Sequence, residues 1–202
     1  MTACTIDPER NPIADHFRGA MRHLVGAVSV MTAGRGDTVS GMTVSSVSSL
    51  ALDPPSLIVS INRAASSWSL LREHGVFGIN ILNSEQIDVA ERFSGKSGLK
   101  GAERFAGASW VRRPSGVLLL AGALAAIECE VEHIVERHSH AIVIGRVRHL
   151  ALSPQEGALA YWHGDYVAID REEDMVRLAE VSLPAGHVRR IGPISRFIRL
   201  EG

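Results

Sequence analysis

The order of apolar runs along the chain predicts a mainly β domain with flanking helices, folded as an antiparallel barrel. Three observations carry that expectation. About seven runs have the length and β-branched content of strands, and most follow one another across turn signals. Only about three segments repeat apolar residues at helical spacing. No strand is followed by the glycine fingerprint that opens a parallel dinucleotide-binding sheet. With 202 residues, 46% hydrophobic and 21% charged, the chain is long enough for one well-buried core and short for two domains.

Residues 1–12 hold two prolines and little periodicity and read as a flexible N-terminal arm. The domain spans residues 13–170. Ile13, Phe17, Ala20, Met21 and Leu24 recur at helical spacing before Gly26. Residues 27–32 and 38–44, split by Gly34-Arg35-Gly36-Asp37, form a hairpin. After the Asp53-Pro54-Pro55 break, residues 57–61 give another strand. Ser66 or Ser67 caps a short helix running to His74 and closed by Gly75, and residues 76–82 return to strand. Asn83 or Ser84 caps the next helix, with Ile87, Ala90 and Phe93 on one face and Gly95 at its end. Glycine and lysine between Gly95 and Gly107 indicate a mobile loop. Residues 117–135 and 141–152 are long β runs joined by a turn over 136–140, and 161–169 is the last strand. Beyond it the pattern weakens. Residues 171–202 read as a C-terminal extension, in which 187–199 carries four arginines and no acid.

Several function classes are set aside. A net charge of -1 without a basic block gives no footprint for nucleic acid. The longest apolar runs, such as 116–127, are about half a bilayer span, and no basic region leads an apolar stretch at the N-terminus. The expectation is therefore no membrane and a cytoplasmic protein. Cys4 and Cys129 have no partner spacing for zinc or a redox pair, and His133, His138 and His140 lack matching ligands, so no metal is expected. Ser45 and Ser46 lie in no GxSxG elbow. Glu128, Glu130 and Glu132 alternate as a solvent-facing row.

The chemistry-bearing residues form two clusters. In residues 41–49, five hydroxyls fall within the seven positions 43–49, where a strand runs into a loop. Such a segment is either a strand edge with satisfied hydroxyls or a set of backbone N–H and small hydroxyl groups suited to a flavin's polar edge, ribityl chain and phosphate. Asn62-Arg63-Ala64-Ala65-Ser66-Ser67 ends the next strand and opens a helix. It is either an ordinary cap or a phosphate site, since free N–H groups and the helix dipole both favour an anion.

The two clusters in order resemble the short-chain flavin reductase family, the reductase components of two-component flavin-dependent monooxygenases. The likeness rests on Gly41-Met42-Thr43-Val44-Ser45-Ser46, on Asp53-Pro54-Pro55 and on Asn62-Arg63-Ala64-Ala65-Ser66. It continues through residues 77–82, 90–95 and 104–107, His140 before Ile142-Val143-Ile144-Gly145-Arg146-Val147, and Tyr161-Trp162-His163-Gly164-Asp165-Tyr166.

The resemblance implies an antiparallel split β-barrel of the Greek-key, FMN-binding kind and an NAD(P)H:flavin oxidoreductase. It implies FMN or FAD and NADH or NADPH as cofactors, a homodimer, and a separate monooxygenase that receives the reduced flavin. Met42, Thr43, Val44, Ser45, Ser46 and Ser49 would hold the flavin. Asn62, Arg63, Ser66 and Ser67 would lie on its ribityl and phosphate side, with Phe93 bordering the site at or near the dimer interface. His140, the catalytic candidate, and Tyr166 would stand near the nicotinamide. His138-Ser139 replaces the family's usual Gly-Asp before that histidine. Two further readings fit the same likeness: a tightly bound flavin that reduces a corrinoid or ferric chelate, and a non-catalytic flavin- or haem-binding barrel.

Overall fold

A computed structural model describes residues 12–154 and 157–169. The arm expected at 1–12, Pro12 apart, and the extension expected at 171–202 lie outside the described residues. Helix α1 (Pro12–Met21) leads into the short strand β1 (Gly26–Ala27). The hairpin follows, β2 (Ser29–Arg35) and β3 (Thr38–Val44), and then β4 (Ser48–Leu52) and β5 (Pro55–Asn62). Helix α2 (Ser66–His74) is closed by Gly75 at φ 63°, a left-handed conformation that favours glycine. Strand β6 (Val76–Ile81), helix α3 (Ile87–Phe93) and a 3-10 turn (Gly101–Phe105) come next. The chain completes with β7 (Trp110–Arg112), β8 (Leu118–Leu120), β9 (Ala125–Arg137), β10 (His140–Leu152), β11 (Ala158–Trp162) and β12 (Asp165–Ile169).

The main sheet runs β3-β2-β6-β9-β10-β5-β4, antiparallel throughout. Its two edges, β3 and β4, are joined by only Ser45, Ser46 and Val47. A link that short forces the sheet to curl until its edges nearly meet. Yet no backbone ladder joins β3 to β4, so the barrel stays split. The seam is bridged by a side chain: the Ser46 hydroxyl donates to the Ser60 carbonyl at 2.9 Å and accepts from the Ser60 N–H at 3.2 Å.

Strand alternation distributes the core to two sides of this wall. Met31, Val59, Ile61, Phe77, Ile79 and Val143 fill one side, capped by Trp68 and Leu71 of α2. Val30, Leu82, Phe93, Phe105, Val117 and Leu119 fill the other, under α3, the β7-β8 pair and the small β1-β11-β12 sheet. Because β2 is covered on both faces, it is buried at every position but the last.

Several boundaries differ from the sequence reading, each for a physical reason. Strands β4 and β7 were not expected. The first is an exposed edge and the second only three residues long, so neither has a buried face to leave an apolar pattern. The run 117–135 is broken at 121–124, where Gly122 takes φ 76°. Residues 161–169 belong to a hairpin, turned by His163 at φ 53° and Gly164 at φ 99°. Asn83 does not cap α3. Its carboxamide oxygen instead accepts from the Glu85 N–H, making a turn before the helix. The loop expected to be mobile at 95–107 contains the 3-10 turn, anchored by buried Phe105 and by Arg104, whose Nη1 donates to the Gly41 carbonyl at 2.7 Å. Of the glutamate row, Glu128 is 9% exposed and paired to Arg113. Only Glu130 and Glu132 face outward, each paired to an arginine of β10. Among the described residues no helix is long and apolar enough to cross a membrane, and no three His, Cys, Asp or Glu side chains group as a metal site.

Candidate functional site

The end of β3 and the link after it form one wall of a cleft of about 190 Å³. Thr43, Val44 and Ser45 line that wall, and Tyr161 and Tyr166 face them. As an edge strand, β3 spends its inner N–H groups on β2 and leaves alternate ones pointing outward without a ladder partner. The Thr43 hydroxyl is committed to the Ala90 carbonyl at 2.6 Å, which ties β3 to α3. The exposed Ser45 hydroxyl has no partner among the described residues. The tyrosines are cross-strand neighbours on the β11-β12 hairpin, with ring centroids 5.4 Å apart. Burial, and then the neighbouring Tyr161 and Glu91, push the Tyr166 hydroxyl from 10.0 up to about 12. It remains a neutral donor at any working pH.

Ser94 and Lys96 complete the cleft. Helix α3 ends at Phe93, and Gly95 at φ 84° turns the chain so that Lys96 reaches the cleft rim. Lys96 is one of only two lysines in the chain, and its ammonium has no ion-pair partner among the described residues. A free cation, outward backbone donors, a free hydroxyl and two aromatic rings together suit an anionic, planar, polar-edged ligand. The sequence reading missed Lys96, Ser94 and Tyr161. The helix-stopping Ser-Gly-Lys after Phe93 was the available signal for the first two. The Tyr161–Tyr166 pairing was hidden by the unrecognised hairpin.

The second expected cluster lies elsewhere on the wall. Asn62, at the end of β5, is in register with His140, at the start of β10. The Asn62 carboxamide oxygen accepts from the Ala64 N–H at 2.9 Å, forming the turn into α2. Arg63 is held by Glu136 at 2.6 Å and by the His138 carbonyl at 3.0 Å, and Arg72 shares the Glu136 carboxylate at 3.5 Å, so the group keeps a net positive charge. The Ser66 hydroxyl meets that of Ser40 at 2.7 Å. Ser67 is fully buried, and its hydroxyl is without a partner among the described residues. His140 is exposed and bonds through Nδ1 to the Ser139 hydroxyl at 2.8 Å. Within one chain, then, Tyr166 joins Thr43, Val44 and Ser45, while His140 joins Asn62 and Arg63.

Four more expected residues stand outside the cleft, Ser46 among them at the barrel seam. Met42 is half-buried and packs toward the core under α2. Ser49 is exposed on β4. Phe93 is 1% exposed; its ring packs edge-on against Phe105 at 5.0 Å and lies behind β3 at Gly41. Phe93 therefore shapes the site by supporting the strand that forms it.

Comparison with known proteins identifies the family. Residues 21–170 match the family model described as flavin reductase like domain. The reductase component of an FADH(2)-dependent resorcinol hydroxylase from Rhizobium is 35% identical over 158 residues, 77% of this chain and 87% of the relative. The FMN reductase (NADH) RutF of Methylorubrum extorquens is 35% identical over 177 residues, 85% of this chain and 84% of the relative. Among solved structures, BorF, the flavin reductase component of a bacterial two-component tryptophan halogenase, superposes with a TM-score of 0.72 at 30% identity, covering 78% of this chain and 99% of that one. The chain belongs to the flavin reductase-like family.

Proposed function

We propose that this chain reduces FMN or FAD with NADH or NADPH and releases the reduced flavin to a separate monooxygenase. The observation that carries the reading is the cleft between the hydroxyl-rich end of β3 and the Tyr161–Tyr166 pair, in a chain whose residues 21–170 match the flavin reductase-like domain. Hydride passes between the two bound rings, so the protein's work is to stack them, orient them and limit water. The outward N–H groups near Thr43 and Ser45 support assignment to the flavin's polar edge, and Lys96 to its phosphate. Tyr166, kept neutral, serves as a wall and a hydrogen-bond donor.

One protomer's cleft, at about 190 Å³, falls below the roughly 300–1,000 Å³ of enclosing ligand pockets. A flavin would be covered on one wall only, which favours exchange with solvent and supports a homodimer that supplies the second wall. The outer face of β5 and β10 fits that role. Ile58, Ile142 and Ile144 alternate there with the inward residues, Ile142 is 44% exposed, and His140 shares their face. A partner docked on this face would bring its own His140 toward the nicotinamide. Dependence on NAD(P)H and the free thiol of Cys129 support a cytoplasmic location. The assignment of sub-sites is tested by steady-state kinetics: His140→Ala should raise KM for NAD(P)H more than for flavin, and Lys96→Gln the reverse. Equal effects on both substrates would remove the assignment.

A further inference from the structure

A second concavity, of about 300 Å³, shares no lining residue with the cleft. Its floor is apolar, built from Leu119 and Leu120 of β8, Ala123 in the turn that follows and Ala126 of β9, with the exposed Leu152 at the end of β10 on its rim. Arg113 and His149 stand in its wall. Arg113 donates through Nε to the Glu128 carboxylate at 3.2 Å. Glu128 is 9% exposed and faces His149 in register across β9 and β10. The pairing neutralises the buried carboxylate and fixes the guanidinium in place. The two Nη groups of Arg113 and the half-buried imidazole of His149 have no hydrogen-bond partner among the described residues.

Size and chemistry together narrow the occupant. About 300 Å³ is the lower bound of ordinary ligand pockets, room for one ring and its substituents but not for a dinucleotide. An apolar floor does not favour a bare inorganic anion, which would lose its hydration against carbon. Two donors left at the wall favour an acceptor, and a guanidinium edge matches the geometry of a carboxylate. We propose that this groove binds a small hydrophobic carboxylate, with its ring or branched chain on the floor and its head between Arg113 and His149. The proposal goes beyond flavin reduction and does not depend on how the cleft is used.

Calorimetric titration of the full chain with benzoate, and with benzamide as its uncharged isostere, tests it. Benzoate should bind, and benzamide about tenfold more weakly, the size of one charge-assisted hydrogen bond. His149→Leu should weaken benzoate by a similar factor. Ala151→Leu, which fills the groove from an exposed rim position, should abolish the binding. Both variants should reduce flavin at the wild-type rate, which shows that they fold. Equal binding of benzoate and benzamide, no binding of either, or binding unchanged in both variants would overturn the proposal.

Discussion

Ser46 shows how a residue read as a ligand can serve the scaffold. Its hydroxyl closes the barrel seam through both the N–H and the carbonyl of Ser60, so Ser46→Ala should cost about 1 kcal/mol and lower Tm by about 2–4 °C, as read by thermal melting. Lys96 is the opposite case: its ammonium has no ion-pair partner among the described residues, and it stands at the cleft. Lys96→Gln should weaken FMN or FAD binding by roughly three- to tenfold with no change in Tm, and the difference from wild type should shrink as salt is raised. Cys129, fully buried, has its thiol pushed from 9.0 up to about 12, by burial first and by the Glu128 carboxylate second. The folded chain thus holds this proton more tightly than the unfolded chain. The stability so contributed is intact below pH 9 and is lost as pH rises from 9 toward 12. Urea midpoints across that range should fall for the wild type and fall less for Cys129→Ala.

Elements were legible in the sequence where a face is buried and illegible where it is not. Strands β2, β3, β5, β6, β9 and β10 each carry buried apolar positions, β2 and β6 as continuous runs and β10 as an alternation, and their order was readable. The edge strand β4 and the short β7 carry none. Hydroxyls at the end of β3 marked the right strand, but partners distinguish them: Thr43 ties to α3, Ser46 to the seam, and Ser45 has no partner among the described residues. Sequence spacing cannot report such partners. Nor could it show that Arg63 and Arg72 share the carboxylate of Glu136, a residue distant in the chain. Gly41 marks a close approach that only packing reveals. A Cβ there would lie 2.6 Å from the Met31 carbonyl and 2.8 Å from the Phe93 ring. Neither neighbour can yield easily, one being backbone and the other a buried ring. Gly41→Ala should destabilise by about 1–3 kcal/mol and also raise KM for flavin, because the strand that moves is the cleft wall. Denaturant unfolding together with kinetics checks both effects.

At the scale of the whole molecule, a split barrel with one half-walled cleft is an incomplete container. The apolar outer face of β5 and β10, with His140 at its end, accounts for how a second copy would complete it. Sedimentation should return a dimer, and Ile142→Glu, placed on that face, should shift it toward monomer with loss of activity. An active wild-type monomer would remove the two-walled site. The central functional claim is catalytic reduction of free flavin, and it is measured most directly without oxygen. A trace of purified protein is mixed with excess FMN or FAD and with NADH or NADPH, and the visible flavin band is followed. The account predicts bleaching over many turnovers; a band that stays unbleached with both nucleotides and both flavins would contradict it.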